Sequence, residues 1–379
     1  MVETIPLSQR RVDIIIVAFF LVNLLFVSYL IDHDPERRSL RAISYLAPGA
    51  GHLCQRLLDH LPIDHLVPYG PERAPLHQAS FQRTGAGNRS MNISRAFLLV
   101  IIAYLLAGAA AVGTGILFHA QQPIVIVGVA DLAATIVIFI FSVLTNNSSM
   151  YDPYWSVAPV PIALFWLLQP GSNGFANPRH VLIFALLCLW AIRLTTNWAT
   201  QWRGLDHEDW RYQDIQKQTG VLYWPASFLG IHLLPTILVF LGCLALWPTL
   251  SDRNSQLTWL DGVAALVTLT AIIIEGTADL QMRRYRREPK ATRQVIPPGL
   301  WSASRHPNYF GEVLFWWGLY LFVPLAYPNF WWVIVGPIAM LLLFLGVSIP
   351  LMERHLLARH PTYTAYQQRV SPFFPWFSH

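Results

Sequence analysis

The sequence predicts an all-α fold, a polytopic membrane helical bundle of about nine transmembrane helices with a cofactor pocket at its cytosolic face. Three observations carry the fold. Of 379 residues, 54% are hydrophobic and only 12% are charged, against about 25% charged in ordinary soluble domains, and mean hydropathy is +0.41. The apolar residues fall in long runs, several of about 20 residues, the length that crosses a bilayer. The charges are confined to the segments between alternate runs.

Taken in order, Arg10-Arg11 precede an apolar run at 12–31, read as a retained membrane helix rather than a cleaved leader. Residues 32–95 are the one long polar stretch, with several prolines and no catalytic pattern, and read as a cytosolic linker or lid. This divides the chain into 1–95, a helix plus polar segment, and 96–379, a membrane-embedded domain. Spans are expected at 96–118 and 124–144, and Gly108, Gly113 and Gly115 suggest close helix approach. A polar break at 146–156 precedes spans at 157–168 and 178–196. The run 222–247 reads as one long or kinked span interrupted by Pro225 and Pro235, and 257–280, 309–327 and 330–351 complete the set. With nine spans, segments 32–95, 146–156, 197–221, 281–308 and 353–379 share one side. They hold 8, 0, 3, 7 and 3 of the 26 Lys and Arg, which places that side in the cytosol.

Net charge is +5, but the cations flank apolar runs. This fits orientation, anionic membrane lipids or an anionic cofactor, and not nucleic-acid binding. Cys54, Cys188 and Cys243 are far apart, with no metal or redox spacing.

The chemistry is placed at Leu300–Glu312, LWSASRHPNYFGE, where Arg305, His306, Asn308, Tyr309 and Glu312 fall within eight residues. Just upstream lies the basic cluster Arg283-Arg284-Tyr285-Arg286-Arg287, which taken alone also reads as a stop-transfer cluster. Arg193 sits inside a span, where a charge is costly unless it is paired or faces water, and Asn197 follows one turn later. Glu208-Asp209 either join a site or neutralise Arg203 and Arg211. Tyr151, Asp152 and Tyr154 form an interfacial turn or a proton-donating group. Together these features describe a polar mouth that brings a water-soluble cofactor to a hydrophobic lipid substrate.

The run Arg305-His306-Pro307-Asn308-Tyr309-Phe310-Gly311-Glu312 resembles the signature of the steroid 5-alpha-reductase and sterol-reductase superfamily, in particular the branch carrying SRHPNYFGE. The resemblance covers roughly 146–375. It extends to the Arg193/Asn197 helix end, Glu208–Tyr212, Glu275 and Asp279 with Gln281, and the closing Tyr363, Tyr366 and Pro375. It implies NADPH-dependent reduction of an activated C=C bond in a steroid, sterol, enoyl or polyprenyl lipid. It further implies that Asn308 and Glu312 hold the nicotinamide end, and that Asp279, Arg283 and Arg286 grip the adenosine and phosphates. Arg193, Asn197, Trp301, Arg305, His306 and Tyr309 would line the cofactor pocket, and Arg354, Tyr363 and Tyr366 would close over it. The superfamily's catalytic pair has no aligned counterpart here, so Tyr151, Asp152 and Tyr154 are catalytic candidates by position alone.

Isoprenylcysteine carboxyl and phospholipid methyltransferases share an RHP-x-Y motif and a C-terminal Glu, here Arg305, His306, Pro307, Tyr309 and Glu353, and would use S-adenosylmethionine. A non-enzymatic lipid-binding member of the fold is the third reading. The expected location is an integral membrane, the endoplasmic reticulum in a eukaryote or the inner membrane in a bacterium.

Overall fold

The computed structural model describes residues 92–252, 256–289, 297–324, 326–360 and 362–375. Those residues form helices and turns, and among them there is no strand. Of the expected 1–95 segment, only 92–95 are described.

Six helices are long and apolar enough to cross a membrane: α1 Ile93–Leu117, α2 Pro123–Thr145, α4 Pro178–Gln201, α5 Trp210–Cys243, α6 Trp259–Arg287 and α8 Pro328–Arg359. Between them lie α3 Pro159–Leu167 and α7 Pro307–Leu321, and α9 Tyr363–Arg369 follows. Local chemistry marks the ends. Asn92 and Asn177 cap α1 and α4 through their side chains, and α2, α4 and α7 start on proline, where the missing N–H costs nothing. Thr258 and Asp261 form a reciprocal capping box at the start of α6.

The expected count of nine spans separates into three parts. Six are these helices, and the run at 12–31 lies outside the described residues. The runs at 157–168 and 309–327 are helices of nine and 15 residues, about 14 and 22 Å long at 1.5 Å per residue, short of the roughly 30 Å apolar slab. Their apolar side chains pack into protein. Seven of the nine residues of α3 are buried, and α7 buries Val313, Phe315, Trp316, Leu319 and Tyr320. By contrast, Leu106 and Leu144 on α1 and α2, Leu266 on α6 and Leu342 on α8 are exposed, as lipid-facing residues are.

Gly113 and Gly115 do not carry close helix approach. A Cβ on Gly113 would meet nothing within 4 Å, and one on Gly115 only ordinary contact at 3.7 Å. On α7, a Cβ at Gly311 would lie 2.8 Å from the backbone nitrogen of Glu275, and one at Gly318 would lie 2.9 Å from the Cα of Thr268. These contacts pair α7 antiparallel with α6. The prolines in α5 act as expected in another form: the helix continues, but widens into a π-turn at Phe228–Leu233 just before Pro235. Likewise α8 has a π-turn at Phe344–Ser348 before Pro350. A wider turn relieves the clash of the proline ring with the preceding turn of helix.

The segment after α2 does not stay at an interface. Ser148–Tyr151 forms a 3₁₀ turn and Tyr154–Val157 a short helix, and Met150, Tyr151 and Tyr154 are fully buried. At the opposite end of the bundle, Arg179 is 1% exposed. Its Nε donates to Asp261 at 2.8 Å, its Nη2 donates to the Phe322 carbonyl and its Nη1 lies 3.4 Å from the Tyr327 hydroxyl. One guanidinium thus ties α4, α6 and the end of α7 together.

Arg179→Ala should lower unfolding free energy by about 3–5 kcal/mol, the cost of stranding one member of a buried ion pair. Adding Asp261→Asn should recover most of the loss. Denaturant unfolding of the three variants in detergent measures both.

Candidate functional site

The Leu300–Glu312 stretch folds as a short 3₁₀ turn, Gly299–Ser302, followed by the start of α7. It is laid over the last turns of α6. Trp301 Nε1 donates to the Ala278 carbonyl at 2.9 Å, and the Leu300 amide donates to Gln281 Oε1 at 2.9 Å. The glycine-mediated pairing of α7 with α6 then sets Asn308 and Tyr309 beside the turn that carries Asp279.

Arg193 of α4 reaches the same turn. Its Nη2 forms an ion pair with Glu275 Oε1 at 2.5 Å, without hydrogen-bond alignment, and its Nη1 donates to Asp279 Oδ2 at 3.0 Å. Asn197 donates to the same Asp279 oxygen at 3.1 Å and accepts from Arg283 at 3.0 Å. Arg286 is exposed, one turn beyond Arg283 and two beyond Asp279. The costly membrane arginine is therefore paired, and the paired group opens onto a basic helix end.

Glu312 is buried and accepts from two indoles, Trp190 Nε1 and Trp316 Nε1, each at 3.0 Å. Its neighbour Glu275 keeps one buried oxygen, Oε2, without a hydrogen bond among the described residues.

A second cluster holds the C-terminal segment. Arg305 donates Nε to Glu353 Oε1 at 2.6 Å and Nη2 to Oε2 at 3.2 Å, a bidentate pair, and Nη1 donates to the carbonyls of Gln367 and Val370. His306 Nε2 lies 3.2 Å from Glu353 Oε1, and its ring stacks on Tyr309 at 5.2 Å and 7°. Tyr366 donates to the Trp301 carbonyl. Tyr363 packs edge-on against Tyr366, with its hydroxyl buried beside Arg305 and Glu353 but in no well-formed hydrogen bond. Burial raises both tyrosines above the ordinary range. Arg354 is exposed and joins neither cluster.

Two atoms at the motif are left over. Asn308 Oδ1 and the Tyr363 hydroxyl are buried without a hydrogen-bond partner among the described residues. Asn308 is half-buried as a residue, and its oxygen is shielded.

The loop before α5 faces this site. Trp210 stacks on His355 at 3.5 Å and 25°, and Tyr309 feels the charges of Arg211, Asp209, Asp279 and Arg286. Arg211 pairs with Asp209 at 2.8 Å, and Tyr212 donates to Asp152 Oδ1 at 2.7 Å. So the structure brings Asp152 to the α5 loop, whereas Tyr151 and Tyr154 descend away from it. Tyr151 bonds to Thr236 Oγ1 at 2.8 Å, and Tyr154 donates to Asp131 Oδ1 at 2.6 Å. Asp131 and His232 go unnoticed as functional candidates in the sequence, and Tyr212 enters only as the end of the Glu208–Tyr212 run. Asp131 carried a signal of the same kind as Arg193, a lone charge inside an apolar helix.

A family model described as Protein of unknown function (DUF1295) matches residues 138–370. The chain belongs to this family. An uncharacterized protein of Schizosaccharomyces pombe is 27% identical over 259 residues, covering 62% of this chain and 74% of that protein. No solved structure matches the chain. The DUF1295 region includes both clusters, the Leu300–Glu312 stretch and all of α4 to α7. It leaves out α1 and the part of α2 that carries Asp131.

Burial raises the Asp152 carboxyl from 3.8 to about 7, against the opposing effects of the Tyr212 hydrogen bond and the Arg211 charge. The folded state therefore binds this proton more tightly than the unfolded state does. Its contribution to stability is complete below about 3.8 and is lost as pH rises to about 7. Stability measured from pH 4 to 7 should fall with rising pH in the native protein, and the slope should flatten in Asp152→Asn. A second prediction concerns Arg305. Arg305→Lys cannot keep the bidentate pair together with two carbonyl bonds, so amide exchange in residues 363–375 should accelerate at least about tenfold, the effect of losing one charged hydrogen bond worth about 1.5–3 kcal/mol.

Proposed function

We propose that the chain is an integral-membrane reductase that uses NADPH to saturate an activated C=C bond in a lipid, with its charged end in the cytosol. The observation that carries this reading is the buried, unpartnered Asn308 Oδ1 at the mouth of the α6–α7 pair, next to a carboxylate–arginine helix end. The resemblance of Arg305–Glu312 to the steroid 5-alpha-reductase-like signature points the same way.

The donor set fits such a cofactor. Asn308 Oδ1 is an acceptor suited to a carboxamide N–H. Asp279 and Asn197 carry oxygens that suit ribose hydroxyls, and Arg283 and Arg286 suit phosphates. The stacked His306–Tyr309 rings offer a flat wall. NADPH, when bound, supplies a hydride. The protein's share is to orient, to exclude water and to provide a proton.

Several residues that the resemblance assigns to the cofactor have a second task in this reading. Arg193, Arg305, His306, Glu312 and Tyr366 already have protein partners. They hold the wall rigid, while Asn308, Arg283 and Arg286 meet the cofactor. The proton donor is sought among Tyr151, Asp152 and Tyr154. The apolar surroundings of Tyr151 and Tyr154 suit a lipid tail or ring system.

The test is thermal stabilisation of detergent-purified protein by NADPH, NADH and S-adenosylmethionine, since a ligand that binds only the native state raises apparent stability. NADPH should stabilise the protein, and Asn308→Ala should weaken that binding about tenfold, the worth of one hydrogen bond of about 1.5 kcal/mol, while leaving the unliganded melting point unchanged. Stabilisation by S-adenosylmethionine instead would move the chain to the methyltransferase class. Native NADPH affinity in Asn308→Ala would remove that residue from the site.

A further inference from the structure

The interior of the bundle contains a line of exchangeable groups that the cofactor site does not use. It begins at the charged end, on Glu208 in the loop before α5. Glu208 Oε1 accepts from the Ser148 amide at 2.8 Å and from the Tyr223 hydroxyl at 3.1 Å. The Tyr223 hydroxyl lies 2.8 Å from Ser148 Oγ, which lies 2.9 Å from Ser227 Oγ. Ser227 Oγ is 3.5 Å from His232 Nδ1, and His232 Nε2 is 3.0 Å from Ser142 Oγ. Ser148, Ser227, His232 and Ser142 are all fully buried.

From the Tyr223 hydroxyl three contacts of 2.8, 2.9 and 3.5 Å carry the line to His232 Nδ1, among groups that are all buried inside the bundle. Its inner end meets the deeper tyrosines: the His232 ring lies 5.0 Å from that of Tyr151. Below it, Tyr151 bonds to Thr236, Thr236 to Thr135, and Tyr154 to Asp131.

This line has the chemistry of a relay. Every hydroxyl in it both donates and accepts, and the imidazole can accept a proton on one nitrogen and release one from the other. A purely structural network would be served as well by groups that only donate or only accept. Apolar packing would meet the cohesive need at lower cost, because each buried polar group must recover its desolvation. The π-turn at Phe228–Leu233 has its own cause in Pro235. It also sets His232 where Nδ1 faces both the carbonyl of Ser227, at 3.0 Å, and the hydroxyl of the same residue.

We propose that Glu208, Tyr223, Ser148, Ser227 and His232 form a proton path from the charged end of the bundle to the buried Tyr151 region. A proton bound by Glu208 passes to the Tyr223 oxygen, which releases its own to Ser148. Ser148 in turn releases one to Ser227, and Ser227 to His232 Nδ1, the nitrogen left bare when Nε2–H donates to Ser142 Oγ and Ser142 Oγ donates to the Ile138 carbonyl. The path ends there: one proton enters, His232 holds it as an imidazolium whose new Nδ1–H faces the Ser227 carbonyl, and the reverse shift returns it. Its use rests on the reductase reading. Hydride addition to one alkene carbon requires one proton on the other, and a site sealed in lipid must replace that proton from the aqueous side after each turnover. The path itself needs neither cofactor nor substrate.

The experiment is solvent exchange of the His232 imidazole N–H in the full chain, labelled with nitrogen-15 histidine in detergent and read by magnetic resonance. The His232 signal is identified by its absence in His232→Gln. Tyr223→Phe and Glu208→Gln keep shape and remove one exchangeable group each. Both should slow exchange about tenfold or more, as a hop blocked by about 1.4 kcal/mol would. A network with only a structural role predicts the opposite, because loosening the fold opens His232 to water and speeds exchange. Exchange unchanged or faster in either variant overturns the path. Because no NADPH is present, that failure would leave the reductase reading standing. Conversely, a failure of NADPH to bind would leave the exchange result intact.

Discussion

The pairing of α7 with α6 depends on two glycines, and the candidate site depends on that pairing. With hydrogen at Gly311 and Gly318, the α7 backbone comes into contact with the turns at Glu275 and Thr268. This approach sets the register in which Glu312 meets Trp190 and in which Asn308 sits beside the Asp279 turn. It also buries the carboxylates Glu275 and Glu312 as neighbours, with Arg193 as the cation that reaches Glu275 and Asp279. The charge of Arg193 is tolerated inside the bundle because the opposite charge is delivered to it by a neighbouring helix at fixed distance.

The fold class was legible because a bilayer imposes a length and an apolar composition on each span. Those two constraints do not distinguish a helix that faces lipid from one that faces protein. Residues 157–168 and 309–327 are apolar for the second reason, and they were counted as spans for the first. The glycines show the same ambiguity. Gly113 and Gly115 look like contact residues in sequence and border open space or ordinary contact. Gly311, inside the signature motif, brings α7 against the backbone of Glu275 and draws attention in sequence only as part of the motif.

The site was legible where residues lie close in sequence and hidden where they do not. Arg305, His306, Asn308 and Tyr309 announce themselves as a group, but Glu353 becomes their partner only through the return of α8. Asp152 stood out as a lone carboxylate, yet its partner Tyr212 lies 60 residues away. His232 is one histidine in an apolar helix, and most such residues are packing groups. Its place becomes apparent only when the Ser142 hydroxyl arrives from α2 and the π-turn brings Ser227 of its own helix beside the ring.

The hold that Arg305 has on the C-terminal segment bears on how the protein is made. Its guanidinium is bonded to the carbonyls of Gln367 and Val370, its amide donates to Ser371 O at 2.8 Å, and Ser304 Oγ donates to Phe373 O. During synthesis on the ribosome, α4 to α7 are inserted well before those residues emerge, and Arg305 then lacks the carbonyls that satisfy it in the finished molecule. The motif at the head of α7 is thus completed last. A chain ending short of residue 367 would keep α4 to α7 but leave two donors of the Arg305 guanidinium without the carbonyls that satisfy them.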